Sequence, residues 1–255
     1  KSQVTKALGA LPLNSKLKTL ANELYQVWPQ LIPTCHRRLF CAGRITLDLY
    51  FGDSTEVFSD LSGVIDAWCL DGFSPDRNPE SWTPKLFQAI ADHSHHHTTL
   101  STFTAARVVR DGLSAVGFSV SKVPGFGGKR ERLLARFDRS QKPMVWAPKQ
   151  HLGDTHRIAI VGCGLAGAWT AHALAQRGFP VTVFEQFSPA SGASGNAQGI
   201  TYAKLSIEAT PNSLIQLQAL AHLGDWLRLL PNDVWQQTGV LLLAQNQPQL
   251  AHQEK

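Results

Sequence analysis

Apolar and polar positions follow two rhythms along the first half of the chain. Between Lys6 and Trp28, Leu8, Leu11, Leu17, Leu20, Leu24 and Val27 fall at helical spacing, with Pro12 dividing them, so two short helices are expected. From His36 to Asp53 the period drops to two. Ile45, Leu47, Leu49 and Phe51 share one face of Arg44–Phe51, and the stretch predicts two strands joined at Ala42-Gly43. Val64–Leu70 is a short apolar strand stopped by the turn signal Asp71-Gly72. Helical spacing returns over Pro84–Ala91 and Ala105–Val116, the second ending at Gly117, a residue suited to a helix C-terminus. Thr98–Thr104, Phe118–Val123 and Arg132–Phe137 read as further strands. Helices and strands alternating at these lengths predict a layered α/β domain.

Asp138–Thr155 breaks the rhythm. It holds Pro143, Pro148 and Gly153 among polar residues and has no period, so it reads as a linker. A second α/β pattern follows: a strand over Arg157–Val161, a helix over Leu165–Arg177, a strand over Val181–Glu185, a Gly/Ser-rich loop over Ser191–Gly199, and a helix over Asn212–Leu230. The domains expected are therefore 1–138 and 156–255, with 139–155 between them.

The turn between the first strand and helix of that second pattern is Gly162-Cys-Gly-Leu-Ala-Gly167. With Glu185 ending the next strand, it supplies the context a dinucleotide fingerprint needs. Gly162 permits the tight turn, Gly164 lets the backbone approach a pyrophosphate, and Gly167 lets helix pack on strand. The helix N-terminus offers N–H groups and a positive dipole to the phosphates. Glu185 is placed to accept from the adenosine ribose and to repel a 2′-phosphate, which disfavours NADP. NAD and FAD are not separated by the fingerprint. The small residues of Ser191–Gly199, with Ser194, Asn196 and Gln198, lean towards FAD, since they let backbone pass close to a flavin.

Composition adds a positive balance, net +5 with a pI near 9.1, concentrated at Lys122, Lys129, Arg130, Arg132, Arg136, Arg139, Lys142 and Lys149. Such a cluster suits a polyanion or simply a solvated surface. No apolar run is long enough for a membrane span. Cys35, Cys41, Cys69 and Cys163 form no CxxC, as expected of reduced cysteines in a cytoplasmic protein. His93-Ser-His-His-His97 lacks companions at ligand spacing, so a solvated turn is expected there and no metal.

In the first half, Asp71 follows a buried strand, the position where open α/β sheets bind ligands. Arg77, Asn78, Pro79 and Trp82 then form a polar loop with an aromatic able to stack on a base. Asp53 occupies a similar strand end; for either aspartate the alternative is a turn or helix cap. Gly125-Phe-Gly-Gly-Lys-Arg-Glu131 joins backbone freedom to two cations, as a phosphate clamp or a hairpin.

Taken together, Arg44-Ile-Thr-Leu-Asp-Leu-Tyr-Phe-Gly-Asp53, Asp66-Ala-Trp-Cys-Leu-Asp-Gly-Phe-Ser-Pro75, Asn78-Pro-Glu-Ser-Trp82, Thr102-Phe-Thr104, Gly125–Glu131, Gly162–Gly167 and Gly192–Gly199 resemble the bifunctional enzymes of 5-methylaminomethyl-2-thiouridine biosynthesis in bacterial tRNA, the MnmC family. The resemblance runs from about Trp28 to Tyr202. It implies part of a class I (Rossmann-like) methyltransferase using S-adenosylmethionine, followed by the first βαβ unit of an FAD-dependent oxidoreductase. It implies oxidative removal of the carboxymethyl group from carboxymethylaminomethyl-uridine, then methylation of the resulting amine. Asp71 becomes the expected catalytic residue of the methyltransferase, Asp53 a neighbour of the S-adenosylmethionine adenine, and Arg77, Trp82, Lys129 and Arg130 contacts to substrate or tRNA. The chain departs from the family where His95-His-His-Thr98 replaces Pro-Gly-Gly. It also has no glycine-rich S-adenosylmethionine loop, so it is expected to be an internal piece, incomplete for both reactions. The competing readings are a flavin or NAD oxidoreductase with an unrelated first half, and an inactive RNA-binding remnant.

Overall fold

The structure, a computed structural model, describes residues 14–125, 128–139, 156–203, 210–227, 230–231, 233–241 and 243–247. The helix expected before Pro12, most of the linker at Asp138–Thr155, Lys142 and Lys149 lie outside the described residues, as do two positions of the Gly125–Glu131 loop. The described residues fall into two compact units, one within Gly52–His151 and one formed by Lys1–Phe51 together with Leu152–Lys255.

The first half contributes helix α1 (Ser15–Gln26) and strands β1 (Cys35–Phe40) and β2 (Ile45–Tyr50). Asn14 caps α1, its side chain accepting from the Leu17 N–H at 3.0 Å. β1 and β2 form an antiparallel hairpin, with Cys35 opposite Tyr50 and Phe40 opposite Ile45.

In the unit within Gly52–His151, β3 (Ile65–Leu70), β4 (Ser94–Thr102), β5 (Phe118–Pro124) and β6 (Glu131–Phe137) make a sheet in the order β3-β4-β6-β5. β3 and β4 run parallel, and β6 lies antiparallel to both β4 and β5. Helices α2 (Ser54–Asp60), α3 (Pro84–Asp92) and α4 (Arg107–Ala115) complete it. Alternation decides the packing. Leu133, Ala135 and Phe137 of β6 are buried, and with Trp68, Leu100 and Phe118 from the other strands they meet Leu86, Phe87 and Ile90 of α3 and Val109 and Leu113 of α4. Each large side chain of this cluster contributes about 2 kcal/mol by leaving water. The start of α3 is set by Thr83, whose hydroxyl accepts from the Leu86 N–H at 3.2 Å, and by Pro84 in the first turn.

The histidine tract departs from expectation. Instead of a solvated turn, β4 begins at Ser94 and takes in His95, His96 and His97. Buried Ser94 explains the early start: its hydroxyl donates to the Ile90 carbonyl at 2.7 Å and accepts from the Trp68 indole at 3.0 Å. His95 approaches Asp66 at 2.8 Å, and Arg136 donates to His97 at 3.0 Å. Among the described residues no group of His, Cys, Asp and Glu has the arrangement of a metal site. Helix α2 and the 3-10 turn Pro79–Ser81 were not legible in the sequence, being too short to show a period.

From Ile158 onward come β7 (Ile158–Val161), helix α5 (Leu165–Ala175), β8 (Val181–Phe184) and helix α6 (Pro211–Leu227). β7 and β8 pair in parallel, Ile158 opposite Val181 and Val161 opposite Phe184, so β7–α5–β8 is a βαβ unit. The four cysteines are free thiols. Among the described residues no helix is long and apolar enough to cross a membrane.

Candidate functional site

The glycine turn after β7 is built by close approaches that only glycine allows. Gly162 sits at φ +95, in the left-handed region, and its N–H donates to the Phe184 carbonyl at 2.7 Å, tying the two strand ends together. A Cβ on Gly167 would stand 2.0 Å from the Gly162 carbonyl oxygen, so α5 can lie on the turn only without one. A Cβ on Gly164, the residue preceding α5, would stand 2.8 Å from the Ser194 hydroxyl.

Two side chains from outside the turn fasten it. Glu185, at the end of β8, accepts from the Cys163 N–H at 2.7 Å and the Phe187 N–H at 3.2 Å. The Cys163 N–H, and secondarily that of Phe187, holds the Glu185 carboxyl below its ordinary value, because a donor aimed at the oxygens favours the charged form. Ser194 accepts from the Leu165 N–H, in the first turn of α5, at 3.0 Å. Gly164, Glu185 and Ser194 thus meet on the wall of an open cavity of about 270 Å³, lined also by Phe187 and Ala190. The cradle that a Cβ would fill, the helix N-terminus and a carboxylate beside them suit a dinucleotide's pyrophosphate and ribose. Asn196 is exposed, and Gln198 lies on the wall of a different cavity of about 700 Å³.

In the other unit Asp71 is exposed directly after Leu70, the last residue of β3, which pairs with Thr102 of β4. The carboxyl ends of the parallel pair therefore lie side by side. The Lys129 ammonium stands 5.5 Å from the centre of the Phe103 ring, just past the end of β4. Arg130 is exposed, and its carbonyl accepts from the Gly125 N–H at 3.0 Å, closing the β5–β6 connection as a hairpin. Arg77 is exposed in a turn whose N–H donates to the Ser74 carbonyl at 2.8 Å.

Trp82 and Asp53 are both engaged within the protein. Trp82 belongs to the core at 5% exposure, and its indole donates to the Phe73 carbonyl at 2.7 Å. With no ring face open, it anchors the loop after β3 from beneath instead of stacking on a base. Asp53 precedes α2, where its carboxylate accepts from the Thr55 and Glu56 N–H groups at 2.9 and 3.2 Å, the helix-capping alternative. Among the contacts that the sequence does not announce is the ion pair of Arg38 with Asp225. The partners are 187 positions apart, and no local pattern announces them.

Residues 15–138 match the S-adenosyl-L-methionine-dependent methyltransferase family, and residues 157–255 match the FAD dependent oxidoreductase family. The tRNA 5-methylaminomethyl-2-thiouridine biosynthesis bifunctional protein MnmC of Chromohalobacter salexigens is 40% identical over 253 residues, covering 96% of this chain. The chain belongs to the MnmC family. The MnmC proteins of a Marinomonas species and of Aeromonas hydrophila are 42% and 43% identical, covering 87% and 82% of the chain. The chain spans 36%, 34% and 32% of the length of these three MnmC relatives. Among solved structures, the crystal structure of MNMC2 from Aquifex aeolicus matches 51% of the chain and 39% of its own, with a TM-score of 0.41 and 21% identity.

Proposed function

We propose that this chain is the junction of a bifunctional tRNA-modifying enzyme. Residues 1–138 form the latter part of its methyltransferase, 139–155 a linker, and 156–255 the opening of its oxidoreductase. The observation that carries the reading is the glycine cradle with Glu185 and Ser194, following a methyltransferase-matching sheet in the same chain. Gly162, Gly164 and Gly167 hold the pyrophosphate of FAD, and Glu185 its ribose; Ser194, Asn196 and Gln198 border the cofactor. Bound FAD would take two electrons from the carbon–nitrogen bond of carboxymethylaminomethyl-uridine at the tRNA wobble position, and water would then hydrolyse the resulting imine, releasing the carboxymethyl group as glyoxylate and leaving the free amine.

The freed amine is then methylated from S-adenosylmethionine. Asp71, beyond the end of β3, accepts or orients the amine proton as the nitrogen attacks the methyl group. Asp53 lies near the cofactor's adenine, while Arg77, Lys129 and Arg130 contact tRNA phosphates. Trp82 supports this surface from the core. Such an enzyme works in the cytoplasm, where tRNA is found.

The test uses the intact protein. It should show flavin absorbance as purified and convert carboxymethylaminomethyl-uridine in tRNA to aminomethyl-uridine, then to methylaminomethyl-uridine once S-adenosylmethionine is added. Nucleoside mass spectrometry reads both steps. A colourless protein, or one that leaves the carboxymethyl group in place, removes the oxidoreductase reading. Product arrested at the amine in the presence of S-adenosylmethionine removes the methyltransferase reading.

A further inference from the structure

The hairpin β1–β2 lies within the stretch that matches the methyltransferase family, yet it belongs to the same compact unit as the stretch that matches the oxidoreductase family. Its contacts there are specific. Arg38 of β1 is buried at 7% exposure. Its guanidinium donates to the carbonyls of Val27 at 2.7 Å and Arg37 at 3.0 Å, and to the carboxylate of Asp225 on α6. Gln218 stands seven positions before Asp225, on the same face of α6, and its amide donates to the Cys35 carbonyl at 2.9 Å.

The other end of the hairpin rests on α5. Cys41, Ala42 and Gly43 turn the chain through left-handed φ values of 54, 54 and 81. A Cβ on Gly43 would stand 2.6 Å from the carbonyl oxygen of Gln176, the residue that ends α5. Three successive left-handed residues are unfavourable unless the surroundings hold them. The two helices meet through Trp169 and Trp226, with ring centres 4.6 Å apart, His172 edge-on to Trp169 and His222 tilted against it. Asp225 also lines the cavity of about 700 Å³. A buried guanidinium persists only where its donors are met, and removing one partner leaves an uncompensated charge inside.

We propose that this hairpin is a clasp lent by the methyltransferase stretch to the oxidoreductase half: Arg38 on Asp225, and the Gly43 turn on Gln176, hold α5 and α6 in register. The helix that follows the dinucleotide turn and the wall of the larger cavity then depend on residues outside their own family segment. The clasp stands whatever the ligand or substrate, so its failure and that of the catalytic reading are separate events.

Hydrogen–deuterium exchange on the intact protein tests it. Arg38→Met keeps most of the stem and removes the charge. Exchange in 35–50, 165–175 and 211–227 should then rise together by about tenfold or more, with 94–102 and 131–137 unchanged. Arg38→Lys should give the same pattern at smaller amplitude, and it carries the test if Arg38→Met does not fold. The double variant Arg38→Asp, Asp225→Arg should recover part of the protection in 211–227. Unchanged exchange in 165–175 and 211–227 overturns the clasp. So does a uniform rise that includes 94–102 and 131–137, because the pair would then stabilise the chain as a whole.

Discussion

At the scale of single residues the dinucleotide turn is the most constrained part of the chain. Gly167→Ala would press a methyl into the Gly162 carbonyl, 2.0 Å from where its Cβ must sit. The expected outcome is a loss of about 2 kcal/mol, the usual result of overpacking, together with weaker flavin retention. Thermal unfolding and flavin absorbance of the intact protein check the two effects. Glu185 makes a prediction about pH. Its carboxyl is held below the ordinary 4.5, first by the Cys163 N–H. Its contribution to stability is therefore present above the unfolded value and lost as pH falls through the lower folded value. Lowering the pH from about 6 to about 3 should depress the melting temperature of the wild type more than that of Glu185→Gln, with the curves differing mainly at the acid end. Parallel curves would mean that the Cys163 contact contributes nothing to the fold.

At the scale of elements, Asp53 and Trp82 show what each short connection requires. Asp53→Ala should cost about 1 kcal/mol through the lost cap of α2, and Asp53→Ser should recover most of it. If Asp53 also serves S-adenosylmethionine, calorimetry should show binding lost in both variants, because serine caps a helix but carries no carboxylate. Trp82→Phe should cost about 1 kcal/mol by leaving the Phe73 carbonyl without its indole donor. Limited proteolysis should then cut the loop after β3 sooner. Elements with a clear period were legible in the sequence: the hairpin, β3, α3, α4, β5, β6 and the βαβ unit all lie where the apolar rhythm placed them. The glycine cradle and Glu185 were legible too, because a fingerprint specifies backbone geometry directly. The start of β4 was not, because a tract of histidines carries no strand signal, and burial of Ser94 is a tertiary fact. The burial of Trp82 was not legible for a related reason: a tryptophan in a polar loop looks the same in sequence whether its ring faces solvent or core.

At the scale of the whole molecule, the positive charge is partly spoken for within the protein. Lys122 pairs with Glu131 at 2.8 Å, and Arg107 and Arg110 reach Asp111 at 3.1 and 3.2 Å. Lys129 and Arg130, exposed beyond β5, are the cations to test against a polyanion. Replacing both by alanine in the intact protein should weaken tRNA binding across sequences and flatten its dependence on salt by roughly two ions released. An unchanged salt slope would place the tRNA elsewhere. Glu185 and Ser194 already satisfy the Cys163 and Leu165 N–H groups, so the protein supplies its own acceptors where a cofactor would bring phosphate oxygens. The turn at Gly162 can then hold its shape before a cofactor arrives, and a cofactor that binds the folded chain would add to its stability.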